Sequence, residues 1–136
     1  MELRKKVRDR IKMRDGEWIA LGAEYGDVEV LVRVMGGAYN DDLNARRRDL
    51  YKEFGGMEAV PSDRDGQAMT EALIARVLVD VKGGKDDTID GAPVDMESFS
   101  ALLREPGATT LVNAVMVAAS KVGLHREETK KAATGN

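Results

Sequence analysis

Two short segments near the start of the chain have strand-like patterns, one a short apolar run and the other an alternation with a period of two. Residues 17–21 are mostly apolar, and residues 28–35 place valines on one face and charged side chains on the other. Such alternation predicts half-buried β-strands, and Gly22 and Gly26-Asp27 supply turn residues between them. The pattern predicts an N-terminal β-hairpin that must pack on helices or on another copy, because a lone hairpin is marginal in water.

After the hairpin, apolar residues recur at helical spacing in four segments. The first is predicted over residues 40–54, and the second over residues 67–82, where the second half is apolar on nearly every side. That composition predicts a central, buried helix. A third, short helix is capped by Asp95, and the last covers residues 109–122. We therefore predict an α+β fold, mainly α, with an N-terminal β-hairpin followed by about four helices in a single domain.

The first fifteen residues form a charged arm in which seven Lys and Arg outnumber three Asp and Glu. Leu3, Val7 and Ile11 stand four residues apart, so one face of a helix is apolar. The arm is a solvated helical extension, a segment that docks on a partner or, least favoured because no aromatic side chain is interleaved for stacking, a nucleic-acid arm. The predicted division of the chain is a basic helical N-terminal arm (1–16), a globular domain (17–124) and a flexible polar C-terminal tail (125–136).

Composition narrows the classes of function. Aromatic residues make up only 4% of the chain, so the core must be mainly aliphatic, with Trp18 as a core plug. The absence of Cys excludes a disulfide framework and a thiolate metal site. The net charge of −3 argues against nucleic-acid binding by the whole domain. No apolar run approaches the roughly 20 residues that span a bilayer, so we expect a cytoplasmic protein that binds no membrane.

Catalytic constellations are hard to assemble from this sequence. The serines have only His125 as a base, and that histidine lies in the predicted tail. The paired carboxylates Asp41-Asp42 and Asp86-Asp87 stand where turns and helix caps explain them. We expect a protein that is not an enzyme and needs no cofactor.

One segment matches the spacing of a calcium-binding loop. Asp86, Thr88, Asp90 and Glu97 stand where an EF-hand loop has side-chain ligands. Thr88 replaces the usual Asp or Asn, and Pro93 lies in the second half of the loop. Asp90-Gly91 is also a hairpin signal. A solvated Asp-Gly turn is therefore the preferred interpretation, and a calcium site is the alternative.

The second half of the chain resembles the phage tail assembly chaperones, small proteins that tailed phages and prophages encode. In that family a helix ends in an apolar stretch with an internal Asp, and a polar Asp-Gly-Pro turn and a Leu-Leu segment follow. The matching positions here are the stretch VLVDVKG (77–83), Asp87, Asp90-Gly91, Pro93-Val94, Glu97, Ala101-Leu102-Leu103 and Pro106.

The resemblance implies a chaperone that binds the long, helical, hydrophobic tape measure protein before tail tube protein assembles around it. It implies these two partners, self-association as an option, and work in the host cytoplasm. The valine hairpin offers an edge for strand addition. We place the partner contacts on Leu3, Val7 and Ile11 of the arm and around Arg47 and Tyr51. The alternatives are a virion component, such as a head–tail connector or minor tail protein, and a solitary EF-hand-like module.

Overall fold

Five α-helices and five β-strands follow one another in residues 2–123, the part of the chain that the computed structural model describes. In chain order they are α1 (Leu3–Asp15), β1 (Glu17–Ala20), β2 (Glu29–Val32), α2 (Gly37–Phe54), α3 (Ser62–Arg76), β3 (Leu78–Lys82), β4 (Thr88–Ile89), β5 (Ala92–Pro93), α4 (Met96–Leu103) and α5 (Thr109–Ser120). The predicted α+β, mainly helical fold is confirmed. The predicted tail, 125–136, lies outside the described residues.

β1, β2 and β3 form an antiparallel sheet with β2 in the centre. The predicted hairpin of β1 and β2 is confirmed, with Ile19 opposite Val30. On the other edge of β2, Val30 lies opposite Val81 of β3. β3 pairs with the second edge of the hairpin, so a further strand could be added to the hairpin only at β1. The side chains of Val30 and Val32 in β2 are fully buried.

The prediction of one helix over residues 67–82 is wrong in its second half. α3 starts earlier, at Ser62, and ends at Arg76, and residues 78–82 form β3. β-branched side chains lose rotamer freedom in a helix and fit the pleated surface of a sheet. A short, continuous apolar run cannot be assigned to helix or strand by periodicity alone. Here pairing with β2 decides the conformation.

Helices cover the sheet and close the core. α5 packs against β1 and β2, and α3 and α4 pack against β3. Tyr39 and Phe99 are the aromatic side chains among the buried core residues of the described chain. The core is therefore mainly aliphatic, in agreement with the composition. The largest fully buried side chains are Leu73, Leu103, Val30, Val32, Val77, Val115 and Val122.

Trp18 is not buried in the core, contrary to the prediction. Strand alternation turns Ile19 into the core and leaves its neighbour Trp18 37% exposed. The Nζ atom of Lys82 lies 4.2 Å from the centroid of the indole ring. A cation over the face of an indole is attracted by its quadrupole. Trp18 and Lys82 therefore form a surface contact on the outer side of the sheet.

α2 and α3 form an antiparallel pair that is tied by charged side chains. Asp42 of α2 accepts hydrogen bonds from Arg46, one turn later, and from Arg76 at the end of α3. The bond from Arg46 is the main cause of a pKa of Asp42 below its ordinary value; Arg76 adds to this, and burial opposes it. At the other end of the pair, Gly55 adopts a left-handed conformation (φ 83°), which glycine reaches without steric cost, and ends α2.

Replacement of Leu73 by Ala tests the position of the core. Leu73 is completely buried, so we expect Leu73→Ala to lower the free energy of unfolding by about 2–5 kcal/mol. The matched control is Leu3→Ala, at a side chain that is 72% exposed on α1, where the change should stay within about 0.5 kcal/mol. Urea denaturation followed by circular dichroism measures both. Equal losses in the two variants would contradict the core described above.

Asp42 makes stability depend on acidity. An Asp with a lowered folded pKa contributes stability above its unfolded pKa, about 3.9, and this contribution is lost as pH falls through the folded pKa. Asp42→Asn should lower stability by about 1 kcal/mol at neutral pH, because the paired arginines stay partly exposed. It should also flatten the loss of stability below pH 4. Asp49→Asn, at an exposed position of α2, is the control that should leave the pH profile of the melting temperature unchanged.

Candidate partner-binding surface

The apolar side chains of α1 point into solvent. Leu3, Val7 and Ile11 are 72%, 59% and 44% exposed. At about 100° per residue, positions four apart stay within one narrow band of a helix. We call these three residues the arm stripe. It contains three of the seven large hydrophobic side chains that are exposed among residues 2–123.

The opposite face of α1 contacts the rest of the protein. Asp9 is buried, and Met13 packs against the core. A Cβ atom on Gly123 would lie 2.8 Å from the Cε atom of Met13, so the residues after α5 lie close to this side chain of α1. The buried Oδ1 atom of Asp9 has no hydrogen-bond partner among the described residues. α1 thus faces the domain with Asp9 and Met13 and leaves the arm stripe exposed, whereas an ordinary amphipathic surface helix turns its apolar stripe toward the core.

Arg47 and Tyr51, the other predicted contact residues, lie on α2. Arg47 donates two hydrogen bonds, of 2.8 and 3.0 Å, to the carboxylate of Asp65 in α3. These bonds raise the pKa of Arg47 and lower that of Asp65. Tyr51 is partly buried. Arg47 is therefore engaged between α2 and α3, on different helices from the arm stripe, and sequence reasoning missed this pair because Asp65 lies 18 residues away.

The four residues of the candidate calcium loop are spread over a β-hairpin and a helix. Thr88 pairs with Pro93 between β4 and β5, and Glu97 lies in the first turn of α4. Asp90 and Gly91 have φ of 52° and 81° at the tip, as a two-residue hairpin turn requires, so the hairpin signal is confirmed. Within residues 2–123, no three His, Asp or Glu side chains are grouped to hold a metal ion.

Asp87 makes the structural contacts of this region, which the sequence did not reveal. Its Oδ2 atom accepts hydrogen bonds from the backbone N–H of Gly84, at 2.7 Å, and of Asp27, at 3.1 Å. These bonds join the loop after β3 to the turn between β1 and β2. A Cβ atom on Gly84 would lie 2.7 Å from the Cβ atom of Asp27. The close approach of the two loops therefore requires glycine at this position.

Two grooves open beside these elements. The first, of about 420 Å³, adjoins the Asp87 contacts and has a mainly apolar wall that includes Leu21, Val94 and Leu102. The second, of about 670 Å³, lies between α3 and the α4–α5 segment, and its apolar residues include Met69 and Met116. The apolar wall of the first groove can accept an apolar side chain of a ligand or partner, whereas most residues that line the second groove are polar or charged.

Two further features bear on function. His125, the only imidazole of the sequence, lies outside the described residues. Within residues 2–123, no helix combines the length and apolar character that crossing a membrane requires. The arm stripe and the two grooves are the candidate binding surfaces that the described residues present.

Two glycine substitutions test the contacts of Asp87. Gly84→Ala must displace Asp27, so we expect a loss of about 1–3 kcal/mol in the free energy of unfolding. Gly66→Ala, in the interior of α3 where a Cβ atom meets nothing within 4 Å, should instead stabilise the protein by about 0.5–1 kcal/mol. Urea denaturation measures both, and a neutral Gly84→Ala would show that the two loops do not touch.

Comparison with known proteins identified no relative of this chain. No protein-family model, no curated protein and no solved structure matches the chain.

Proposed function

We propose that this protein is a phage tail assembly chaperone, which binds the tape measure protein without catalysis and promotes assembly of the tail tube around it. The observation that carries the proposal is the outward orientation of the arm stripe. Three aliphatic side chains lie exposed in one band of a helix whose other face carries the buried Asp9 and Met13, which packs on the core. Exposed apolar surface of this kind is characteristic of interaction sites.

The dimensions of the arm stripe fit a helical target. Leu3 and Ile11 are eight positions apart, which is about 12 Å along a helix. A groove or ridge on a partner helix can contact such a stripe over two to three turns, as in recognition of an amphipathic helix through anchors at helical spacing. Each contact is small, so one copy binds weakly. Several copies on one long tape measure protein gain affinity through avidity.

The resemblance to tail assembly chaperones supports the same proposal from another part of the chain. The matching positions in residues 77–106 serve the fold: Val81 is buried in the sheet, Asp87 joins two loops, and Leu103 lies in the core. They favour the scaffold of that family but provide no binding surface. The arm stripe, outside this region, supplies the surface that the function needs.

Co-purification tests the proposal. The full chain is co-expressed with overlapping fragments of the tape measure protein from the same phage or prophage. We expect at least one helical fragment to be retained. The variant Leu3→Ser/Val7→Ser/Ile11→Ser should bind it at least about tenfold more weakly, because the apolar contact is lost.

Val117→Ser is the matched control, since Val117 is 54% exposed on α5, and it should bind as the unchanged chain does. Circular dichroism checks that each variant is folded. Retention of no fragment, or equal retention by the stripe variant, would contradict the proposal. Mass spectrometry of purified virions separates the alternative of a virion component, because a chaperone is absent from finished particles and a connector or minor tail protein is present.

A further inference from the structure

We infer that the arm stripe recognises an amphipathic α-helix whose apolar ridge is bordered by Asp and Glu side chains. The inference names the chemistry of the target, and it rests on the proposed function only for the identity of the protein that contains this helix. It follows from the arginines around the stripe, from the distribution of charge over the molecule and from the length of the apolar band.

Arginines border the arm stripe on both sides. At about 100° per residue, Arg4 and Arg8 follow one edge of the stripe, and Arg10 and Arg14 follow the other. A guanidinium group is planar and donates two parallel hydrogen bonds to a carboxylate, which a lysine ammonium does not. The band therefore has an apolar centre and two edges suited to carboxylates.

Three of these border arginines are not engaged within the described protein. No ion pair among residues 2–123 includes Arg4, Arg8 or Arg10, and Arg14 pairs only with its exposed neighbour Asp15. Elsewhere among residues 2–123, five arginines form ion pairs, four of them between different elements, whereas Arg33 and Arg48 form none. The paired ones are Arg46, Arg47, Arg64, Arg76 and Arg104. Arg4, Arg8 and Arg10 are therefore available for carboxylates of another molecule.

The charge of α1 also limits which kind of partner can bind the arm stripe. Leu3–Asp15 contains seven basic and two acidic residues. Two such helices repel each other, so the stripe of a second copy is a poor partner. A lipid surface favours helices with Trp, Phe and Leu on the apolar face, whereas this band offers one Leu, one Val and one Ile. Nucleic acid would place phosphates against the exposed aliphatic side chains. An acidic amphipathic helix matches both the apolar centre and the basic borders.

Binding of synthetic helical peptides to the full chain tests the inference. Three fluorescein-labelled peptides share one apolar ridge and carry Glu, Lys or Gln at the border positions, and fluorescence anisotropy measures their affinity. We expect the Glu peptide to bind at least about tenfold more tightly than the Lys peptide at low salt. The difference should shrink as salt screens the charges.

Charge reversal in the protein provides the complementary experiment. Arg8→Glu/Arg10→Glu should reverse the preference toward the Lys peptide, and Arg8→Gln/Arg10→Gln should abolish the preference without reversing it. Arg48→Glu, at an exposed position of α2, is the control that should leave the preference unchanged. Thermal melts check that α1 and the domain stay folded.

Several results would overturn the inference. They are equal affinity for the three peptides, a preference for the Lys peptide, an acidic preference that survives reversal of Arg8 and Arg10, and retention by vesicles of phosphatidylcholine and phosphatidylglycerol in the absence of peptide binding. Concentration-dependent self-association that blocks the Glu peptide would also do so, because it would show a second copy as the occupant.

The two proposals fail in different ways. If the Glu peptide is preferred but no tape measure fragment is retained, the target chemistry stands and the proposed function falls. If tape measure fragments bind through the arm stripe while the peptides show no charge preference, the proposed function stands and the acidic target falls.

Discussion

Burial of the central strand β2 is the constraint on which the remaining structure depends. Val30 and Val32 are completely shielded from solvent, and buried backbone N–H and C=O groups must be paired. β1 supplies partners on one edge, and β3 supplies them on the other, although Val81 lies about 50 positions after Val30. The α2–α3 pair is the connection that brings β3 back, and α5 closes the sheet.

This core is complete without the apolar face of α1. The arm contributes Met13 to the hydrophobic packing, and Gly123 lies close to that side chain. Leu3, Val7 and Ile11 contribute nothing to it because they face away from the domain. The two faces of this helix therefore differ, since one packs on the domain and the other leaves the arm stripe exposed, and we expect substitutions in the stripe to leave the fold intact.

Local signals in the sequence were sufficient where a conformation depends on near neighbours. Asp90-Gly91 predicts its hairpin turn, and Asp95 predicts its helix cap, in which its carboxylate accepts a hydrogen bond from the N–H of Ser98. The strand alternation predicts the β1–β2 hairpin, and the spacing of the arm residues predicts which three share a face. These features need only a few adjacent residues, and together they determine an α+β, mainly helical class.

Only the tertiary structure determined which side of each element packs in the core and which side is exposed to solvent. The run 77–82 becomes a strand because β2 offers it an edge, and Trp18 is exposed because the register turns Ile19 inward. Asp87 reaches a turn 60 positions away, a contact that no local pattern encodes. The spacing of the arm residues likewise shows that they share one face of the helix, but it does not show whether that face lies against the domain or in solvent. Only packing of the opposite face against the domain turned these apolar side chains toward solvent.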